Sequence, residues 1–385
     1  MSGPARERLY FDWAATAPLR PEAKAALLEA LCDDYGNASS AHAFGRHARA
    51  ALQRARRTFS DSLGVARDDL FFLGNGSEAN LVALDGSVSD LPRDRRHVLA
   101  SAIEHPSVLE PLERAARNGA IELETLPVDR FGRVAAEELA RRLRPTTGLV
   151  SVQLVNHEIG TVQPVAELAV LAHGHGALFH CDATQAAGKL DLALPELGVD
   201  LLVLSPHKFG GPRGIGVLAR RAGVELGTPL SPGRQEQGVR GGTEDVATIV
   251  AAAVAWQSAR AELHALAASL RELSALLVAR LRELLPDVTL HSSTEYGVPG
   301  LVNCSFAELR GDWLVAALDA LEVAASHGSA CSTRAALPSP VLSAIGAADH
   351  STRSLRFSMG RTTTRANVEE LARRLHAAVV SLRSR

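Results

Sequence analysis

The sequence predicts an α/β fold, with a large domain on a mostly parallel central sheet followed by a smaller α+β domain. Three observations carry that expectation. Short apolar runs recur along the first two thirds of the chain, most of them do not alternate with polar residues, and helical segments separate them. A run that is apolar throughout suits a strand covered on both faces, and strand–helix–strand alternation favours parallel pairing.

In order, the expected strands are "DLFFL" (69–73), "HVLAS" (97–101), "LVSVQLV" (149–155), "ALFHC" (177–181), "DLLVLS" (200–205) and "IGVLA" (215–219). The stretch "VAELAVLAHGHG" (165–176) reads as a helix ending on glycine. After "RGGTEDV" an amphipathic Ala/Leu helix runs from about Val246 to Leu285 without Gly or Pro, and "LPDVTLHSS" closes it. Further strands are expected near "LVNCSF" and "SLRFSM", and a last helix from Ala366. The large domain is thus expected over 15–256, and the small one over 257–385 together with the N-terminal segment 1–14. No internal repeat is visible.

Bulk composition excludes several classes. With 385 residues and a formal charge of −2, the chain has no electrostatic footprint for nucleic acid or an anionic membrane. Its longest apolar run, "IVAAAVAW", is far short of the roughly 20 residues that a bilayer span needs. The opening "MSGPARERLYFDW" has no apolar stretch of a secretion signal. Four cysteines, Cys32, Cys181, Cys304 and Cys331, lie far apart without metal spacing, as reduced thiols of a cytoplasmic protein do. Cys32, Cys181 and Cys304 sit in apolar or helical contexts and are expected in the core.

Polar clusters follow four of the strands: Glu104-His105, Asn156-His157-Glu158, Asp182 to Gln185, and Ser205 to Lys208. In open α/β sheets, ligands bind at that carboxyl edge. Lysine occurs only at positions 24, 189 and 208 in a chain rich in arginine. A Schiff base needs an amine that can lose its proton, which arginine cannot do, so Lys208 suits covalent attachment of an aldehyde cofactor. A loop-capping surface lysine is the plainer reading, and Lys189 is a second candidate. Asp182 either pairs with a protonated ring nitrogen or caps a turn. "GNGSEA" (74–79) is a strand-to-helix turn whose amides suit a monophosphate. A dinucleotide-binding dehydrogenase would want an acid at the end of the next strand, where "SDLPRDRRH" offers only a loop. His105 could stack on an aromatic ring or serve only the start of a helix. His173, His175, His180 and Cys181 raise a metal reading that the intervening glycines oppose. Cys331, in "SHGSACSTRAALPSP" (326–340), lies among small residues that suit an accessible nucleophile. Arg356 either grips a carboxylate or is an ordinary strand-end arginine.

These residues together resemble the pyridoxal-phosphate-dependent cysteine desulfurases of the NifS/IscS type, in the class V aminotransferase superfamily. The resemblance runs from "YFDWAATAPLRPEA" through "GNASSAHAFGR", "EHPSVL", "VNHEIGTVQP", "DATQAAGKLDL", "SPHKFGGPRGIGVL" and "VRGGTEDV" to "GSACST" and "LRFSMGR". It covers nearly the whole chain in the family's order. It implies the type I fold of pyridoxal-phosphate-dependent transferases, with pyridoxal 5'-phosphate attached to Lys208. Asp182 would pair with the pyridinium nitrogen, Gln185 approach the ring hydroxyl, and His105 stack on the ring. Gly76, Ser77, Ser205 and His207 would hold the phosphate, joined by Thr243 from the neighbouring subunit of a homodimer. Asn37 and Arg356 would take the carboxylate of L-cysteine. Lys208 and His105 would carry protons while Cys331 takes the sulfur as a persulfide, leaving alanine. A scaffold or sulfur carrier would receive that sulfur for iron–sulfur clusters or other cofactors. Three departures stand out: His157 replaces the family's cofactor-contacting asparagine, Pro206 a frequent glycine, and Asn75 a glycine of the phosphate turn. Alternatives are a selenocysteine lyase or another aminotransferase-like enzyme, and a catalytically impaired subunit of a sulfur pathway.

Overall fold

A computed structural model describes residues 8–227, 233–328 and 338–384. Its strands are β1 (Leu9–Tyr10), β2 (Leu70–Leu73), β3 (His97–Ser101), β4 (Glu122–Leu126), β5 (Thr147–Ser151) and β6 (Leu178–Asp182). Then come β7 (Leu201–Leu204), β8 (Gly216–Arg220), β9 (Thr289–Leu290), β10 (Leu301–Ser305), β11 (Val323–Ala324) and β12 (Ser354–Ser358). The helices are α1 (Pro21–Asp33), α2 (Ala43–Leu63), α3 (Gly76–Asp90), α4 (Pro106–Arg117), α5 (Ala136–Arg142) and α6 (Val165–Gly174). They continue with α7 (Leu194–Leu197), α8 (Val246–Leu284), α9 (Gly311–Asp319), α10 (Pro340–Ala344) and α11 (Arg365–Arg383).

Among the described residues the main sheet has seven strands in the order β2-β8-β7-β6-β5-β3-β4. Only β8 runs against the rest, pairing antiparallel with both β2 and β7. The carboxyl ends of β2, β3, β5, β6 and β7 therefore share one edge. Alternate side chains face opposite layers. Phe71, Leu73, Leu201 and Val203 pack with Ala79, Val82 and Ala83 of α3, while Phe72, Leu202 and Leu204 face the core that holds α2, α6 and the start of α8. Each side chain fully buried in this way contributes roughly 1.5–3 kcal/mol.

β4 was not expected. Glu122 and Glu124 interrupt its apolar pattern, which an edge strand tolerates because one side of it faces solvent. The "LVSVQLV" run continues past β5, with the Val152 and Leu154 amides donating to the His180 and Asp182 carbonyls of β6, and carries Gln153 and Val155 to the site. The other edge of the sheet is closed by side chains. Glu236 Oε2 accepts the Phe72 amide of β2 at 2.8 Å, and Arg56 donates to the Leu70 carbonyl. Arg56 and Glu236, both buried, bind each other at 2.6 and 3.0 Å. An ion pair thus stands where a further strand would be.

A second core joins Leu9 and Phe11 to the last turns of α8, to β10, β12, α9 and α11. It encloses the three-stranded sheet β12-β10-β9. The expected border near 256/257 falls inside α8, a helix of 39 residues whose Val246–Ala259 part packs on the first core and Leu270–Leu281 part on the second. Cys181 and Cys304 are buried as expected, but Cys32 is exposed because α1 turns that face away from the core.

Candidate active site

The shared strand edge opens into a cavity of about 260 Å³. Its walls include Gly76, Ser77, His105, His157, Asp182, Gln185, Ser205, His207, Lys208 and Arg356. The strand-end clusters therefore meet in space. Asn37 is not in this lining: it is exposed, and its Oδ1 accepts the Ser39 amide at 2.8 Å. Thr243 is exposed and lines a separate hollow beside Phe72, Gly74 and Glu236. Cys331 lies outside the described residues.

Lys208 ends a short 3-10 turn, Pro206–Lys208, entered directly from β7. Pro206 suits the first position of that turn, where its fixed φ is already right and no amide is missed. The Lys208 Nζ donates to the carbonyls of Ala14 and Ala15, 2.8 Å each. Next to it, Phe209 packs on Trp256 with ring centroids 5.2 Å apart, which ties the turn to the core.

The α3 N-terminus forms the far wall. Asn75 caps it, its side chain accepting the Glu78 amide at 2.8 Å, so this departure from glycine is used as an N-cap. A Cβ on Gly76 would come within 3.0 Å of Ser205 Cβ and 3.2 Å of its Oγ. Only glycine leaves that cradle open. The uncapped amides of a helix start attract an anion, and the Ser77 and Ser205 hydroxyls add donors. His207 binds Thr16 Oγ1 at 3.1 Å; burial, with Lys208 and Arg213, pushes its pKa down to about 4, so it faces the cradle neutral.

Asp182 ends the central strand β6. Its Oδ1 accepts the Thr184 amide at 2.9 Å and its Oδ2 the Asn80 side-chain amide at 2.8 Å. It caps a turn, as one sequence reading expected, and also lines the cavity. A hydrogen-bonded line leads from it to His105. The second Asn80 N–H reaches Ser107 Oγ at 2.9 Å, and that hydroxyl lies 2.8 Å from His105 Nδ1. The Ser107 backbone amide also donates to Nδ1, at 3.1 Å. Since the Ser107 oxygen accepts from Asn80 and its amide can only donate, Nδ1 is an acceptor and the ring carries its proton on Nε2.

His157 sets its ring edge-on to His105, centroids 5.2 Å apart. Burial first, then His105, Arg356 and Lys208, hold its pKa well below the usual histidine range. It is a neutral neighbour. Arg356 is buried, donating to the His157 carbonyl at 2.8 Å and to Asp12 Oδ1 at 2.9 Å. Asn80, Ser107 and Asp12 went unnoticed in the sequence. The one available signal was polarity in an apolar setting, since Asn80 is 1% exposed on a helix packed against the sheet.

The residues on either side of the stretch that carries Cys331 bond to Arg356 of the cavity wall or to residues next to that wall. Ser326 pairs with Arg356 through backbone bonds and gives its hydroxyl to Asp12 Oδ1 at 2.8 Å. On the other side Ser339 donates to Glu158 Oε2 at 2.6 Å. Among the histidines of the metal reading, His173 binds Asp200 and His180 binds Ser151, so they point to different places.

An amine, a carboxylate, an imidazole and an anion cradle together suit a phosphorylated ring aldehyde. The chain is similar to known proteins along nearly its whole length. Residues 9–371 match the family described as aminotransferase class-V. The cysteine desulfurase IscS of Dictyoglomus turgidum is 36% identical, the match covering 98% of this chain and 96% of that protein. A solved NifS-like protein superposes with a TM-score of 0.91 at 30% identity, covering 98% of this chain and all of that one. SspA, solved in complex with cysteine, gives 0.80 at 29% identity over 92% of this chain and 100% of its own. The chain belongs to the cysteine desulfurases of the aminotransferase class-V family.

Proposed function

We propose that this protein converts L-cysteine to L-alanine with pyridoxal 5'-phosphate and passes the sulfur on as a persulfide of Cys331. The observation that carries the reading is the meeting of Lys208, Asp182 and His105 around the Gly76 cradle in one cavity. The cavity fits the cofactor: Gly76 leaves a space that a Cβ would fill, and Asn80 Oδ1 and His157 Nδ1 are buried without a partner. Relatives named cysteine desulfurase, and a neighbour solved with cysteine, support the substrate.

In this reading Lys208 would hold the cofactor covalently, and Asp182 would keep its ring nitrogen protonated. Gln185 would meet the ring hydroxyl, His105 would stack on the ring, and His157 would contact the cofactor beside it. Gly76, Ser77, Ser205 and His207 take the phosphate, with Thr243 reaching in from a second subunit. The exposed position of Thr243, away from its own chain's cavity, supports that homodimer. Bound there, the cofactor supplies an aldehyde for amines and a ring that accepts the electron pair left at the substrate Cα.

The remaining steps belong to the chain. Arg356 turns from Asp12 to the substrate carboxylate, aided by Asn37. Lys208 removes and returns protons at Cα, and His105 exchanges its proton at Nε2, the ring nitrogen not occupied by Ser107. The Cys331 thiolate attacks the substrate sulfur. The C–S bond breaks and an S–S bond forms, so the thiol is oxidised to a persulfide while the carbon skeleton keeps the electron pair and gains a proton. Cys181 and Cys304 are unsuited to this, since burial pushes the first thiol well up and the second to about 12. A cytoplasmic sulfur-acceptor protein, feeding iron–sulfur cluster or cofactor assembly, completes the reading. No described helix is long and apolar enough to cross a membrane. The test is incubation with cysteine, comparing wild type with Cys331→Ala for alanine and sulfide release. Loss of both in the variant is expected, and equal activity overturns the reading.

A further inference from the structure

Two of the chain's three lysines line one small cavity behind the site. Lys189 and Lys208 both border this space of about 40 Å³, with Trp13, Arg20, Met359 and Arg361 among its other walls. Lys24, by contrast, is exposed on α1. The two amines are joined through a short polar bridge. Lys189 Nζ donates to Gln185 Oε1 at 3.1 Å, and Gln185 Nε2 donates to the Ala14 carbonyl at 2.8 Å. The same carbonyl accepts Lys208 Nζ at 2.8 Å.

Among the described residues no carboxylate pairs with Lys189. The charged groups that act on it are the cations Lys208 and Arg356, and Arg20 and Arg361 bound the same cavity. Arg20 is itself paired, with Glu262 at 3.0 Å and Glu22 at 3.4 Å. Burial, followed by Lys208 and Arg356, pushes the Lys189 pKa down to about 7. Arginine at this position would stay charged at any working pH, whereas lysine can be neutral. That gives a reason for a second amine in a chain that otherwise uses guanidinium.

We propose that Lys189 is a positioning residue for the reaction, fixing Gln185 by its amide oxygen and keeping its like-charged neighbour Lys208 poised to give up a proton. The bond to Oε1 leaves Gln185 one orientation, with its N–H groups toward the Lys208 side. The charge on Lys189 disfavours a second charge on Lys208. The inference rests on the assignment of Lys208 and Gln185 to the cofactor site.

Wild-type holoenzyme is labelled by competitive acetylation with acetic anhydride across a pH series, digested and read by mass spectrometry, with Lys24 as the internal reference. Lys189 is expected to reach half-labelling near pH 7, well below the ordinary lysine range. Half-labelling of Lys189 in the ordinary lysine range, or no labelling of it at any pH, overturns the proposal. In parallel, the pH profile of cysteine turnover is measured for Lys189→Met and Lys189→Arg. Met, which removes the cation, should move the acid limb up by about one pH unit and lower kcat at neutral pH with little change in KM. Arg, which keeps it, should leave the limb where it is or lower it. Unmoved limbs in both variants overturn the proposal even if activity falls. A wild-type protein that makes no alanine from cysteine refutes the functional reading instead, and the labelling titration then still decides the state of Lys189.

Discussion

Replacing Glu236 by glutamine should loosen the chain at the edge strand that feeds the phosphate cradle. Glu236 and Arg56 are 6% and 5% exposed and share two hydrogen bonds, while each also satisfies one backbone group of β2. Glutamine keeps the shape and can still accept the Phe72 amide, but it leaves the guanidinium buried without a counter-charge. Removing one partner of a buried pair costs about 3–5 kcal/mol. Because the shape is kept, the low end applies, about 3 kcal/mol. At about 2.1 cal/mol/K of unfolding entropy per residue, a chain of 385 residues shifts by about 1.2 °C per kcal/mol, so the melting midpoint should fall by about 4 °C. Arg56→Met combined with Glu236→Gln removes both charges and should recover most of that loss. Thermal and urea denaturation of the three proteins measures it. A single variant within about 1 kcal/mol of wild type, or a double variant no better than the single, refutes the edge-pair argument. Since β2 runs into Gly74–Ser77, the single variant should also lose cofactor faster on dialysis.

Three further outcomes are expected. Lys208→Ala should abolish the visible absorbance of bound cofactor that borohydride bleaches in wild type, and an unchanged spectrum would move the covalent link elsewhere. Ser107→Ala should cost about two- to tenfold in kcat, the worth of one hydrogen bond, while the backbone amide of residue 107 still donates to Nδ1, so nitrogen-15 NMR should keep the His105 proton on Nε2; a switch to Nδ1 contradicts the assigned tautomer. Burial, with Asp182 adding to it, holds the Glu104 carboxyl well above the usual range, so the folded state keeps a proton that the unfolded chain releases. Stability from that group is present below about pH 4.5 and is lost as pH rises toward the folded value, so Glu104→Gln should stabilise the chain by an amount that grows with pH; a pH-independent effect in urea titrations contradicts this.

Much of the sheet was legible because its strands are buried on both faces and so read as continuous apolar runs. The polar clusters were legible by their convergence, since four of them follow such runs on strands that share one edge, although each alone also reads as a cap or a surface residue. β4 was not, because an edge strand with exposed glutamates loses that signature. Ser107 and Asn80 were hidden for another reason. Each is an ordinary helix residue in one dimension and acquires its role only when α3 and α4 bring it between Asp182 and His105. The same holds for Asp12, whose partner Arg356 lies 344 residues away. Family resemblance supplied Asn37 and Thr243; within one chain they stand apart from the cavity, and local pattern could not have linked them to it.

The unbroken run of α8 restricts how the protein can be cut or fused. At about 1.5 Å per residue its 39 residues extend for about 58 Å. Severing the polypeptide at the compositional border near residue 256 would strip Leu270, Leu273 and Leu277 of their attachment to the first core and leave Trp256 as a ragged new end. Neither fragment would keep a covered surface. Splitting or circularly permuting this molecule therefore calls for junctions placed before Val246 or after Leu285, with the whole rod kept on one piece.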